Sequence, residues 1–296
     1  MRPSRAWLCA CLLACATGCR ALVLLPDTAA ERPDAAAADS TAARSAPRTI
    51  PVEVVFVRYA DADADLGTEL WNEVDEQAVD DGLRRRLAAN GLRAGIVTGD
   101  LPPHLAERTL PDRAAPTTSA DAVAADAPLT HRLLRLLPGR RSEILVSSGI
   151  DELVLLEERD GQVRGGTFRD ASGVLELKVR PAADGRVRVE LVPEIRHGPL
   201  ERSWVGEEGM FRMEAGQRRH RRDDLALGVD LREGDLLVVA GGGTAATLGD
   251  ALLRDPGGDR STRRLVVVRP LGPAVDPIFA DASARAGDEQ DVLEIR

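Results

Sequence analysis

The sequence predicts an α+β protein, with a small N-terminal α/β domain followed by a larger, mainly antiparallel β domain. Helical spacing of apolar residues is confined to the stretch between Thr68 and Leu110. From Leu133 onward, short apolar runs alternate with glycine turns such as Asp160-Gly161 and Asp184-Gly185. Aromatic residues make up only 3% of a chain that is 44% hydrophobic, so the core must be built from Leu, Val, Ile and Ala.

The first folded element is Ile50 to Arg58, whose β-branched residues read as a strand. Thr68 is positioned to cap a helix over 69–79, in which Leu70, Trp71, Val74 and Ala78 share one face. A second helix starts at Asp80 or Asp81, carries Leu83 and Leu87 inward, and ends at Asn90-Gly91 as a C-cap. Leu92 to Val97 returns as a strand, and a short helix around 101–110 closes a domain expected over 50–111. Residues 112–130 lose all periodicity and read as a linker.

The β domain is expected over 131–272. Its strand candidates are 133–137, 143–146, 152–157, 163–168, 174–179, 187–195, 210–214, 225–231, 236–239 and 264–268. The clearest alternation is Val174 to Val179 followed by Val187 to Leu191, a hairpin with one face on a core. Leu265 to Val268 is continuously apolar, which predicts a strand that is central or buried on both faces. The acidic tail 273–296 reads as disordered.

The N-terminus predicts export. Arg2 and Arg5 precede an apolar stretch from Trp7 to Ala16, and Ala16-Thr17-Gly18-Cys19 follows. About ten apolar residues are too few to span a bilayer of roughly 30 Å as a helix. The segment resembles a bacterial lipoprotein signal, which implies a signal peptide over 1–18 and a lipid on Cys19. It departs from that pattern at Ala16, where Leu is usual, so Cys15 is a competing acceptor. Residues 26–49 hold no aliphatic side chain larger than Ala, so 19–49 reads as the lipidated Cys and a tether. All four cysteines lie within the first nineteen residues, which excludes disulfides, thiolate catalysis and Cys-based zinc sites in the folded part.

The net charge of −9 argues against nucleic acid as a partner. Leu236 to Ala246 superficially matches a dinucleotide fingerprint, but the following strand ends in Arg269-Pro270 rather than an acidic residue. A glycine-permitted turn or a close backbone approach is the preferred reading of those glycines. His104, His131, His197 and His220 show no metal-ligand spacing, and the Arg218-Arg219-His220-Arg221-Arg222 cluster is blunted by Asp223 and Asp224. That cluster therefore reads as a solvated loop or edge strand. Asp61-Ala62-Asp63-Ala64-Asp65 lacks the later glutamate of a calcium loop, while Ser147, Ser148, Ser203 and Glu207-Glu208 lack catalytic settings. No catalytic, metal or cofactor residue is expected.

Five short elements occur in a suggestive order: Gly173 to Pro181, Val187 to Glu194, Glu233 to Gly241, Leu248-Gly249-Asp250 and Arg264 to Pro270. Together they resemble the C-terminal β module of secretins, the ring proteins of type II and type III secretion and pilus systems. The resemblance implies a secretin-like β module without membrane-spanning strands, used in a soluble envelope component. The expected function is a non-enzymatic, lipid-anchored cell-envelope protein that binds or assembles other envelope proteins. A secretin-type channel subunit and an envelope enzyme with a site built from scattered residues are the alternatives.

Overall fold

A computed structural model describes residues 48–110, 129–207, 210–242, 245–254 and 262–275. The described part is β-rich and antiparallel, with a few short helices. No described helix is long and apolar enough to cross a membrane.

The first sheet contains β1 (Arg48–Ala60), β2 (Leu92–Val97), β3 (Leu129–Leu136), β9 (Leu236–Gly241), β10 (Thr262–Pro270) and β11 (Ala274–Val275). Its order is β3-β1-β10-β9-β2, with β11 beside the start of β1. As its composition requires, β10 is central, and Leu265 to Val268 are fully buried. Val54 faces Val268 and Val55 faces Val267, so both faces of this pair are apolar.

The second sheet has the order β4-β5-β6-β7, from β4 (Arg141–Arg159), β5 (Gln162–Pro181), β6 (Val187–Glu207) and β7 (Met210–Arg221), with β8 (Leu227–Leu231) on β6. The expected hairpin is present, with Leu177 opposite Leu191 and Val179 opposite Val189. Strand candidates separated in the sequence reading merge here. The 143–146 and 152–157 runs form one strand bent by irregularities at Leu145/Ser147 and Ser147/Ile150. The 163–168 and 174–179 runs likewise join as β5.

One face of the first sheet packs on the inner face of the second, where Val52, Val54, Val266 and Val268 meet Leu177, Val189, Leu191 and Val229. The other face is covered by helical residues Leu66, Leu70, Trp71 and Leu105. The boundary expected at 112–130 therefore does not divide the sheets. β1 and β2 come from the 50–111 stretch, yet they share a sheet with β9 and β10 from the 131–272 stretch. The physical reason is β10, whose apolar run Leu265 to Val268 must be flanked on both sides, and β1 supplies one flank.

The first helix departs from expectation. Residues 65–73 form a π-turn (Asp65–Glu69) running into α1 (Leu70–Glu73), and Thr68 lies inside it rather than capping it. The helix stops at Glu73 because the Asp75 backbone pairs with Ile96, N to O at 2.7 Å and O to N at 3.0 Å. Gly95 permits this approach, since a Cβ there would lie 2.5 Å from Val74 Cγ1. α2 (Asp81–Ala89) follows the sequence reading, with the Asp80 carboxylate accepting from Leu83 N at 2.9 Å. α3 (Pro103–Thr109) and α4 (Leu248–Leu253) complete the helices.

Candidate functional site

The period of two in β7 divides the Arg218–Arg222 cluster between the two sides of its sheet. Arg219 and Arg221 turn outward to Glu194 and Glu176, two carboxylates almost buried beneath their cationic neighbours. His220 and Arg222 turn the other way. β7 is an edge strand, one of the two settings expected for this cluster, but Arg222 is fully buried rather than solvated.

Arg222 uses all five of its N–H donors. Nε and Nη2 donate to the Asp224 carboxylate at 2.9 and 2.7 Å, and Nη2 also donates to the Glu158 carbonyl at 2.9 Å. Nη1 donates to Glu157 Oε1 at 2.8 Å and to Asn90 Oδ1 at 3.1 Å. One side chain thus joins the cap of α2, the end of β4 and the turn after β7. Such a buried cation is tolerated only because its partners are complete.

The second oxygen of Glu157 lies 2.7 Å from His220 Nε2. Burial acts to raise the Glu157 pKa, but hydrogen bonds from His220 and Arg222 outweigh it and hold the carboxyl below its ordinary value. Asp224 is lowered chiefly by Arg222. The Phe168 ring stands between two imidazoles, with centroids 4.8 Å from His197 and 5.1 Å from His220. Burial lowers the His197 pKa, and the charges of His220 and Arg218 lower it further.

Beside this joint lies a cavity of about 230 Å³ lined by Glu157, Arg159, Arg164, the Gly165-Gly166 backbone, Phe168 and His220. It is walled by the Phe168 ring, the Arg159 and Arg164 side chains and the His220 imidazole. No protein-family model matches this chain, and no curated protein matches it.

The other sequence candidates fall elsewhere. Cys19 and its rival Cys15 lie outside the described residues. Asp63 and Asp65 hold Arg108, at 2.5 and 3.0 Å, and Asp61 pairs with Arg263. Arg108 is the main cause of the lowered Asp63 pKa. Among the described residues, no three His, Cys, Asp or Glu side chains are grouped to hold a metal. His104 contacts Glu69 at 3.0 Å and His131 contacts Glu53 at 3.4 Å. Ser147 Oγ donates to the Ala251 carbonyl at 2.9 Å and accepts from Gly173 N at 3.1 Å.

The glycines of the fingerprint-like run serve a close backbone approach. Gly242 N donates to the Gly91 carbonyl at 2.6 Å, and a Cβ on Gly241 would lie 2.9 Å from the Gly249 carbonyl. Gly243 and Thr244 lie outside the described residues. Asn90 as a side-chain partner, Glu157, Phe168 and the burial of Arg222 carry no local sequence signal. Extending β7 through Arg222 by strict alternation is the signal that finds His220 and Arg222 on one side.

Proposed function

We propose that this chain is a non-enzymatic, lipid-anchored cell-envelope protein with a binding or assembly role. In this reading its helix-covered part is the small α/β unit, and its long-stranded sheet is the larger antiparallel β part. The reading is supported by the ends of the long strands. Beyond Ile150, β4 and β5 continue as a two-stranded hairpin with Leu153 opposite Phe168 and Glu158 opposite Val163. Val154, Leu156 and Val163 lie on one face of it and are 52%, 44% and 70% exposed. Beyond Glu201, β6 and β7 extend likewise, with Leu200 at its base and Met213 on it, both exposed. Clustered exposed aliphatics on a paired, hydrogen-bonded ribbon suit contact with another protein.

The engagement of His104, His131, His220, Ser147 and Asp63 in joints of the fold agrees with a binding role, because each reactive group already has a structural partner. The anchor rests on the Cys19 segment of the sequence, which precedes the described residues.

The experiment is affinity purification of the intact lipoprotein from membranes, alongside a Val154→Asp/Leu156→Asp/Val163→Asp variant. A specific envelope protein is expected with the native chain and lost with the variant. Recovery of no specific protein, or of the same one with both, counts against the reading.

A secretin-type subunit is the second reading, favoured by one observation. β4, β5 and β6 run for 19, 20 and 21 residues, far longer than the usual five or six or so. Negative-stain images of detergent-extracted protein test it: rings favour the channel, and uniform monomers exclude it.

A further inference from the structure

On one side of the sandwich the edge strands are β2, whose Ile96 is bridged by Asp75, and β8. Among the described residues β8 is hydrogen-bonded to β6 alone, and its consecutive residues Gly228, Val229 and Asp230 line a cleft of about 610 Å³. Ile96, Thr98, Gly99 and Asp75 form the opposite wall. A strand edge presents unpaired N–H and C=O groups that seek partners, and an extended chain supplies them in register.

The cleft is lined by Arg186, Arg188 and Arg232 and by Asp75, Asp230 and Asp235, with Arg186 and Arg188 one strand in from the free edge of β8. Val187 faces Leu231 in the ladder, so Arg186 and Arg232 stand across from one another one step beyond it. Neither has a carboxylate within ion-pair distance among the described residues. Like charges facing across two strands repel, and an anion between them relieves that cost. The remaining groups are already committed. Arg188 pairs with Asp230 at 3.4 Å and lies over Gly228, where a Cβ would meet its Nη2 at 2.6 Å. Asp235 accepts from Arg232 N at 2.7 Å, and Asp75 accepts from Gln77 N at 2.8 Å.

We propose that this cleft binds an extended peptide that pairs with the free edge of β8 and sets a carboxylate between Arg186 and Arg232. The paired backbone supplies affinity for any sequence, and the two guanidinium groups select an acidic residue or chain end. The inference names a partner chemistry for the binding role above, but its site shares no residue with the β4–β5 and β6–β7 hairpins. Failure at either place is therefore read separately.

The test uses the immobilised full-length protein and three pools of pentapeptides, each random at four positions. One ends in aspartate, the second in asparagine amide, and the third repeats the first with N-methylated backbone. The aspartate pool is expected to be retained about tenfold or more over the other two, because both charge-assisted bonds and ladder bonds are needed. An Arg186→Ala/Arg232→Ala variant should lose this preference while its circular dichroism and melting remain native. Amide exchange in Gly228–Asp230 should slow when the retained peptides bind. Equal retention of the three pools overturns the proposal. So does unchanged retention by the double variant, or acidic binding without slowed exchange in β8, which would be ion exchange alone.

Discussion

Asn90 and Glu158 exchange two hydrogen bonds: Asn90 Nδ2 donates to the Glu158 carbonyl at 3.0 Å, and Glu158 N donates to Asn90 Oδ1 at 3.0 Å. A side-chain amide thereby takes the place of a neighbouring strand at the end of β4. Asn90 is fully buried, also donates to the Arg86 carbonyl at 2.9 Å, and receives Arg222 Nη1. The cap of α2 and the outer part of the β4–β5 hairpin are tied at this one position.

Asn90→Ala leaves the Glu158 amide and one Arg222 donor without an acceptor in the interior. Stability should fall by about 2–4 kcal/mol, since each unsatisfied buried group costs roughly 1–3 kcal/mol. Urea denaturation followed by circular dichroism measures it. A loss below about 0.5 kcal/mol would mean that water replaces the amide freely.

Arg222→Met removes the partner of two carboxylates at once. The expected loss is about 3–5 kcal/mol, as when one member of a buried ion pair is deleted. Pairing the change with Glu157→Gln should recover part of that loss in a double-mutant cycle. Additive effects would show that Glu157 and Arg222 are not coupled.

Gly249→Ala brings a Cβ to 1.7 Å from the Gly91 carbonyl, a backbone atom that cannot swing aside. Gly249 N also donates to the Asn90 carbonyl at 3.0 Å, so α4 must move off the cap of α2. The variant is expected to be insoluble or to melt well below the native protein. Gly185→Ala, which meets nothing within 4 Å, is the control, and its φ of +72° limits its cost to about 1–2 kcal/mol. Equal melting of the two variants would refute the close-approach reading.

The pH dependence should have two phases. His197 has a folded pKa below its ordinary 6.5, so the unfolded chain takes up the proton first. Its contribution is complete above that value and declines as pH falls through 6.5 toward the folded pKa. Glu157, ordinary value 4.5, and Asp63 and Asp224, ordinary value 3.8, are also lowered. Their contribution is present above those values and is lost at more acid pH as the folded pKa values are passed. Denaturation midpoints between pH 8 and pH 3 should show both phases, and His197→Asn should remove only the first.

Much of this architecture is legible in the residues. The continuous apolar run of β10 demands two neighbours, the β5–β6 alternation fixes a one-sided hairpin, and Asp80 and Asn90-Gly91 mark both ends of α2. What sequence reading misses is long-range pairing. Nothing near Ile50–Arg58 reveals that its neighbours are β10 and β3, because strand partners are chosen by complementary faces across the whole chain. The end of α1 was hidden for the same reason, since Asp75 is pulled out of the helix by Ile96. The Arg222 joint was hidden by composition: a run of cations followed by aspartates looks solvated until strand alternation separates its members.

Acylation of Cys19 is the most direct point of test. Metabolic labelling with an alkynyl fatty acid should mark the native protein and the Cys15→Ser variant, and should leave the Cys19→Ser variant unlabelled. Undiminished labelling of Cys19→Ser would contradict the assignment and move the acceptor to Cys15 or elsewhere.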